Sequence, residues 1–136
     1  MKRNKDNKEW EISSAYYAMY FSLYSIMMKL GVKCEMHSCT LQFMKKFLSG
    51  FFSREDINTL YDACSARIDA QYYTDREIDE EERRRIIEKA PDLMVKCRET
   101  AVHMKEDTVD DIRKKLEEKN DRKANREHER RDPDKG

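Results

Sequence analysis

The sequence predicts an all-α protein, an antiparallel bundle of about four principal helices. Three observations lead there. Apolar residues recur at steps of three and four in separate stretches, the spacing that lines one face of a helix. Only three glycines and two prolines punctuate 136 residues, too few for the many turns of a sheet of short strands. No alternation of apolar and polar residues lasts beyond a few positions, so nothing reads as a half-buried strand.

The first predicted helix runs from Trp10 to Leu30, where no charge falls between Glu11 and Lys29. Apolar residues nearly encircle it. Ser14, Ala18, Ser22 and Ser25 form a face of small residues that lets another helix approach, and Tyr17, Phe21, Tyr24 and Met28 fill a neighbouring stripe. Gly31 supplies a left-handed stop. A second, shorter helix is expected from Ser38, its cap, to Leu48, with Leu41, Met44 and Phe47 facing inward. Ser53 caps a third, with Glu55 and Asp56 in the first turn, where the helix dipole favours acids. Its inner face reads Ile57, Leu60, Tyr61, Cys64, Ile68 and Tyr72. After a loop at 74–78, Asp79 and three glutamates open a fourth helix that buries Ile86, Ala90, Leu93, Cys97, Ala101 and Met104. Pro91 falls inside it, where a missing N–H and a steric clash predict a kink or a break.

From Lys105 onward 22 of 32 residues are charged, and Val109, Ile112 and Leu116 alone make an apolar stripe. The chain therefore divides into a charged segment at 1–9, a bundle at 10–104 and a tail at 105–136 that is partly helical or disordered. Its patch from Arg126 to Arg131 is read as solvated surface.

Lys plus Arg equals Asp plus Glu at 28 each, which excludes the global basic excess that by itself argues for nucleic acid. The stretch 15–28 is too short and too rich in serine and tyrosine to span a bilayer, so no membrane role and a cytoplasmic location are expected. Cys34, Cys39, Cys64 and Cys97 lack the C-x-x-C grouping of a zinc or redox motif and read as reduced thiols. Three scattered histidines without an E-x-x-H pair leave no metal site, and no cofactor is expected.

In order, the landmarks are SSAYYAMYF at 13–21, Gly31 followed by KCEMHS at 33–38, RIDAQYY at 67–73 and IDEEERRRIIEKAPDLM at 78–94. This pattern resembles a HEPN domain, in the subgroup with an A-Y-Y-A-M-F-like helix and an R-x-x-A-D-Y-like motif that is found with nucleotidyltransferase partners. The resemblance covers about residues 10–104 and implies that the tyrosine-rich helix is central to the bundle and near a dimer seam. It also implies a full amphipathic helix ahead of that one. Here only MKRNKDNKE stands there, so a family helix is short or missing and the tyrosine-rich helix is left with an uncovered apolar face.

The resemblance also points to chemistry. Active HEPN ribonucleases carry an arginine followed four to six residues on by a histidine. Arg67 fits the arginine, but positions 71–73 are Gln71, Tyr72 and Tyr73. Tyrosine titrates near 10 and is a poor general base at neutral pH, although its hydroxyl can donate to a phosphate. Phe21 and Gln71 likewise replace ionisable residues of the family pattern. The candidate catalytic residues are Arg67 and Tyr72. The candidates for RNA or nucleotide binding are Arg67, His37 and Asp69, with Arg67 suited to bidentate phosphate contact. On a helix Asp69 lies about 200° and Tyr72 about 140° round from Arg67, so neither meets it within one chain. The implied function is a toxin-type or regulatory HEPN module of a nucleotidyltransferase-associated, toxin–antitoxin-like system acting on RNA or nucleotides, homodimeric and with a degenerate ribonuclease motif. The alternative is a non-catalytic helical dimerisation module.

Overall fold

The computed structural model describes residues 2–72 and 79–131, with the side chains of 8–70 and 79–128. Five helices follow in order: α1 (Lys2–Leu30), α2 (His37–Phe47), α3 (Arg54–Tyr72), α4 (Glu80–His103) and α5 (Glu106–Arg131), with no strand among the described residues. The fold is all-α, as predicted. It divides into two units, Met1–His103 and Met104–Gly136. The loop expected at 74–78 lies outside the described residues.

In the first unit α1 packs on α4 and α3, and α2 packs on α3. Helix α1 buries Ile12, Tyr16, Met19, Leu23, Ile26, Met27 and Leu30. It starts at Lys2, eight residues before the predicted Trp10, and ion pairs from Lys8 to Glu80 (3.2 Å) and from Glu11 to Arg83 fasten this end to α4. At the other end Gly31 takes φ 72°. Its N–H bonds to Met28 O (3.1 Å) and that of Val32 to Met27 O (2.9 Å), the paired bonds that close a helix on a left-handed residue.

The small residues that are buried lie on α3, whereas on the serine face of α1 Ser14 and Ser25 are exposed and Ala18 and Ser22 half-buried. Ala63, Ala66 and Ala70 are buried with Leu60 and Ile57, and their small side chains let another helix near. Ser22 Oγ instead donates to Ala18 O (2.8 Å) and Ser25 Oγ to Ser22 O (2.6 Å), back onto their own helix. Ile68, expected inside, is 40% exposed, because the alanine stripe has taken the inner side of α3.

Capping explains the starts of α3 and α4. Ser53 Oγ accepts from Asp56 N–H (3.1 Å) while Asp56 Oδ2 accepts from Ser53 N–H (2.9 Å), a reciprocal pair that satisfies two otherwise orphaned donors. Asp79 Oδ1 accepts from Glu81 N–H at 3.3 Å. Helix α2 differs from expectation: Met36, with no side-chain cap bond, precedes it, and His37 rather than Ser38 opens it. Helix α4 runs unbroken through Pro91. Pro91 is exposed, and Ile86, Ala90, Leu93 and Cys97 stay on one buried stripe across it, so core packing outweighs the lost backbone bond. Burial pushes the Cys97 thiol up to about 12.

The second unit contains the 26-residue α5, with Glu106 and Asp107 in its first turn. No helix among the described residues is long and apolar enough to cross a membrane.

Candidate functional site around Arg67

Tyr16, Tyr17 and Tyr20 stand on α1 within two turns. Steps of three and four place them along one side of the helix, facing the start of α2 and the middle of α3. His37 opens α2 and lays its ring flat on Tyr20, centroids 4.1 Å apart with 8° between planes. It is also stacked with Tyr16 at 5.6 Å. Tyr20 is tied to the same helix by its hydroxyl, 3.2 Å from the buried Thr40 Oγ1. The turn before α2 is thus held to α1 by ring stacking and two hydroxyl contacts.

The second contact is Tyr16 Oη to His37 Nδ1, at 2.6 Å. Tyr16 is fully buried. Burial, then the neighbouring Cys64 thiol, holds its hydroxyl above the ordinary tyrosine range, so it keeps its proton. His37 moves the other way: burial first, then the charge of Arg67, lowers its pKa from the usual value near 6.5. A protonated phenol beside a neutral imidazole donates to Nδ1, which leaves the ring proton on Nε2.

Arg67 approaches from α3. Its guanidinium carbon lies 5.1 Å from the centroids of both the Tyr16 and the Tyr17 rings, within the range of cation–π attraction. The two rings stand edge to face, at 77° and 5.6 Å. Arg67 Nη1 donates to Tyr17 Oη. Nε is closed off from solvent and finds no hydrogen-bond partner among the described residues. Among the described residues, then, this cation is held by aromatic faces and a phenol, with no carboxylate bonded to it.

A family model for the HEPN domain matches residues 2–100. The chain belongs to the HEPN family. HEPN domains are RNase-like or nucleotide-related helical modules. No curated protein and no solved structure matches the chain significantly.

Of the four residues singled out from the sequence, the HEPN bundle brings Arg67 and His37 to one place, with Tyr16 touching both. Asp69 sits elsewhere on α3, where its charge acts with Asp62 and Asp79 to raise the pKa of Glu82, itself raised first by burial. Tyr72 ends α3, and its side chain lies outside the described residues. Tyr16, Tyr20 and Thr40 belong to the site yet carry no separate sequence signal, since a tyrosine in an apolar helix reads as core. The pair Tyr16 and Tyr20 at i, i+4, ahead of a histidine in the next turn, is the pattern that could have found them. Among the described residues no group of three or more His, Cys, Asp and Glu side chains could hold a metal ion.

On the far side of α1 from its core stripe, Trp10 (72%), Phe21 (63%) and Met28 (69%) are exposed, with Tyr17 at 36%. Turns of about 100° per residue put all four within about 20° of one line. That line runs beside Arg67, through Tyr17.

Proposed function

We propose that this HEPN module binds RNA or nucleotide phosphate at Arg67, in a groove formed where two copies meet. It serves as a toxin-type or regulatory subunit with a separate nucleotidyltransferase partner, in the cytoplasm, with its own cleavage motif degenerate. The observation that carries this reading is Arg67 itself. Its guanidinium is oriented by two tyrosine rings and one phenol, and among the described residues no carboxylate is bonded to it. A side chain so placed has donors left for a phosphate, and arginine meets phosphate through two parallel bonds. His37 adds a neutral imidazole beside it, and Tyr17 adds a partly exposed ring for a base to stack upon.

The homodimer is supported by the Trp10, Tyr17, Phe21 and Met28 line. Isolated exposed apolar residues are ordinary, but a line of four along about 27 Å of helix supports reading this face as an interface. The same line favours the second reading, a non-catalytic helical dimerisation module. The two readings part on one measurement. Fluorescence anisotropy with a labelled single-stranded RNA and with a labelled nucleotide is expected to show binding that Arg67→Ala weakens by about 1–3 kcal/mol, the range for losing a hydrogen bond to a charged group. Lys119→Ala, in the second unit, changes it much less. Binding that is absent, or indifferent to Arg67, leaves the dimerisation module.

A further inference from the structure

Two thiols lie beside the site and take no part in it. Cys34 is in the connection between α1 and α2, Cys39 is in the first turn of α2, and their sulfurs stand 2.6 Å apart. A disulfide bond measures about 2.05 Å, so little movement separates the free pair from a bonded one. Both cysteines are reduced. Their surroundings differ: Cys39 is exposed, whereas Cys34 is 8% exposed and its thiol is pushed up to about 11, by burial first and then by Cys39. His37 lies between them in sequence, and Thr40, which holds Tyr20, follows directly.

We propose that Cys34 and Cys39 form a reversible intrachain disulfide under a peroxide-class oxidant, and that this bond clamps the turn that presents His37. The chemistry balances as two thiols and one hydrogen peroxide to one disulfide and two waters. Cys39, the thiol that solvent reaches, attacks as its thiolate and breaks the O–O bond. One oxygen stays on Cys39 as a sulfenic acid, and the other leaves as hydroxide and takes a proton to become water. Cys34 Sγ then attacks the Cys39 sulfur, the S–O bond breaks, and the departing hydroxide takes the proton from Cys34 as the second water. Proximity lets a thiol as weakly acidic as Cys34 perform this second step. A thiol of the glutathione class reverses it by exchange. The other two cysteines are not so placed: Cys97 is fully buried, with its thiol pushed up to about 12, and Cys64 faces Tyr16.

The consequence is local. Closing a ring across residues 34–39 removes freedom from the one segment that sets His37 against Tyr16 and Tyr20. Any effect on phosphate binding rests on the function proposed above, but the thiol chemistry and the clamp do not.

The test treats the reduced full chain with hydrogen peroxide, blocks remaining thiols with a maleimide under denaturing conditions, and maps tryptic peptides. Lys33 and Lys45 flank both cysteines, so peptide 34–45 carries the pair. It is expected to appear unblocked and lighter by two hydrogen atoms, to revert with dithiothreitol, and to vanish in Cys39→Ser, while Cys64 and Cys97 remain blockable. Amide hydrogen exchange over 35–40 is expected to slow by about tenfold in the oxidised chain, as local opening is suppressed. Cysteines that stay blockable, a dimer crosslinked through Cys39, or a sulfinic acid at Cys39 as the first product would overturn the pair. A disulfide that leaves exchange unchanged would overturn the clamp. A disulfide with slowed exchange, in a chain that binds no RNA in either form, upholds this proposal and refutes the phosphate-binding function instead.

Discussion

Replacing Tyr16 by phenylalanine removes one oxygen from the centre of the site and leaves the ring in place. The stack with His37 and the contact with the Arg67 guanidinium, at 5.6 and 5.1 Å, both survive. What is lost is the bond to His37 Nδ1 at 2.6 Å. A neutral hydrogen bond contributes about 1 kcal/mol net, and an acceptor stranded out of water costs about 1–3 kcal/mol. His37 is only half-buried, so water recovers part of that second cost, and the expected destabilisation is about 1–2 kcal/mol. Urea unfolding followed by circular dichroism measures it. With a slope of about 1–3 kcal/mol per molar, the midpoint falls by about 0.3–2 M at unchanged slope. A double-mutant cycle with His37→Ala assigns the loss to the pair, with a coupling of about 1 kcal/mol. A Tyr16→Phe protein within about 0.3 kcal/mol of the parent, or a cycle without coupling, would refute the reasoning.

Phe21→Glu is expected to turn a dimer into a monomer in sedimentation velocity, weakening association by about 2 kcal/mol or more, while thermal unfolding of the monomer is retained because Phe21 is already exposed; a parent chain that is monomeric at high micromolar concentration refutes it. The lowered pKa of His37 gives stability a pH dependence. As pH falls below about 6.5 the unfolded chain takes up this proton first, so the His37 contribution is full above about 6.5, declines down to the folded pKa and is flat below it. His37→Gln removes that part of the slope, and an unchanged slope in urea titrations at stepped pH would contradict the assignment. Removal of residues after Lys119 is expected to leave cooperative thermal unfolding of the first unit intact, since that unit holds α1 to α4 and their buried stripes.

The helices were legible because each has a local cause. Ser53 and Asp56, Gly31, and the Ile86, Ala90, Leu93, Cys97 period are signals contained within a few residues. Where the reading failed, the deciding contact was distant in sequence. The serines of α1 looked like a packing face, but Ser14 and Ser25 are exposed, and the buried small residues are Ala63, Ala66 and Ala70 of α3. Of the kink or break that a local rule predicts at Pro91, the break did not occur, because burial on both sides of it prevailed. The site shows the same division. Arg67 and His37 were found from a family pattern. Their joint placement through Tyr16 depends on a bond between residues 21 apart and an arginine 51 residues beyond Tyr16, which no local spacing reveals.

The site's chemistry favours holding a phosphate over cleaving at one. At neutral pH Tyr16 keeps its proton and His37 is uncharged, so among the described residues that meet at Tyr16 the charge is that of Arg67. Cleavage of RNA needs a base for the attacking hydroxyl and an acid for the leaving oxygen. A phenol pushed above its ordinary range cannot serve as the base, and its O–H is already engaged as donor to Nδ1. His37 is the group left that could accept a proton, at Nε2 in its other tautomer, but moving the ring proton to Nδ1 forces Tyr16 to give up its role as donor. That exchange costs the bond that orients the ring, which makes His37 a poor base where it stands. The purified chain is therefore expected to bind RNA and to cleave it weakly or not at all. Gel assays on a labelled RNA, with and without a chelator, check this. Robust cleavage that persists with the chelator, disappears in Arg67→Ala and rises to a plateau above about pH 6.5 would overturn it, and would give His37 the base role that its bond to Tyr16 argues against.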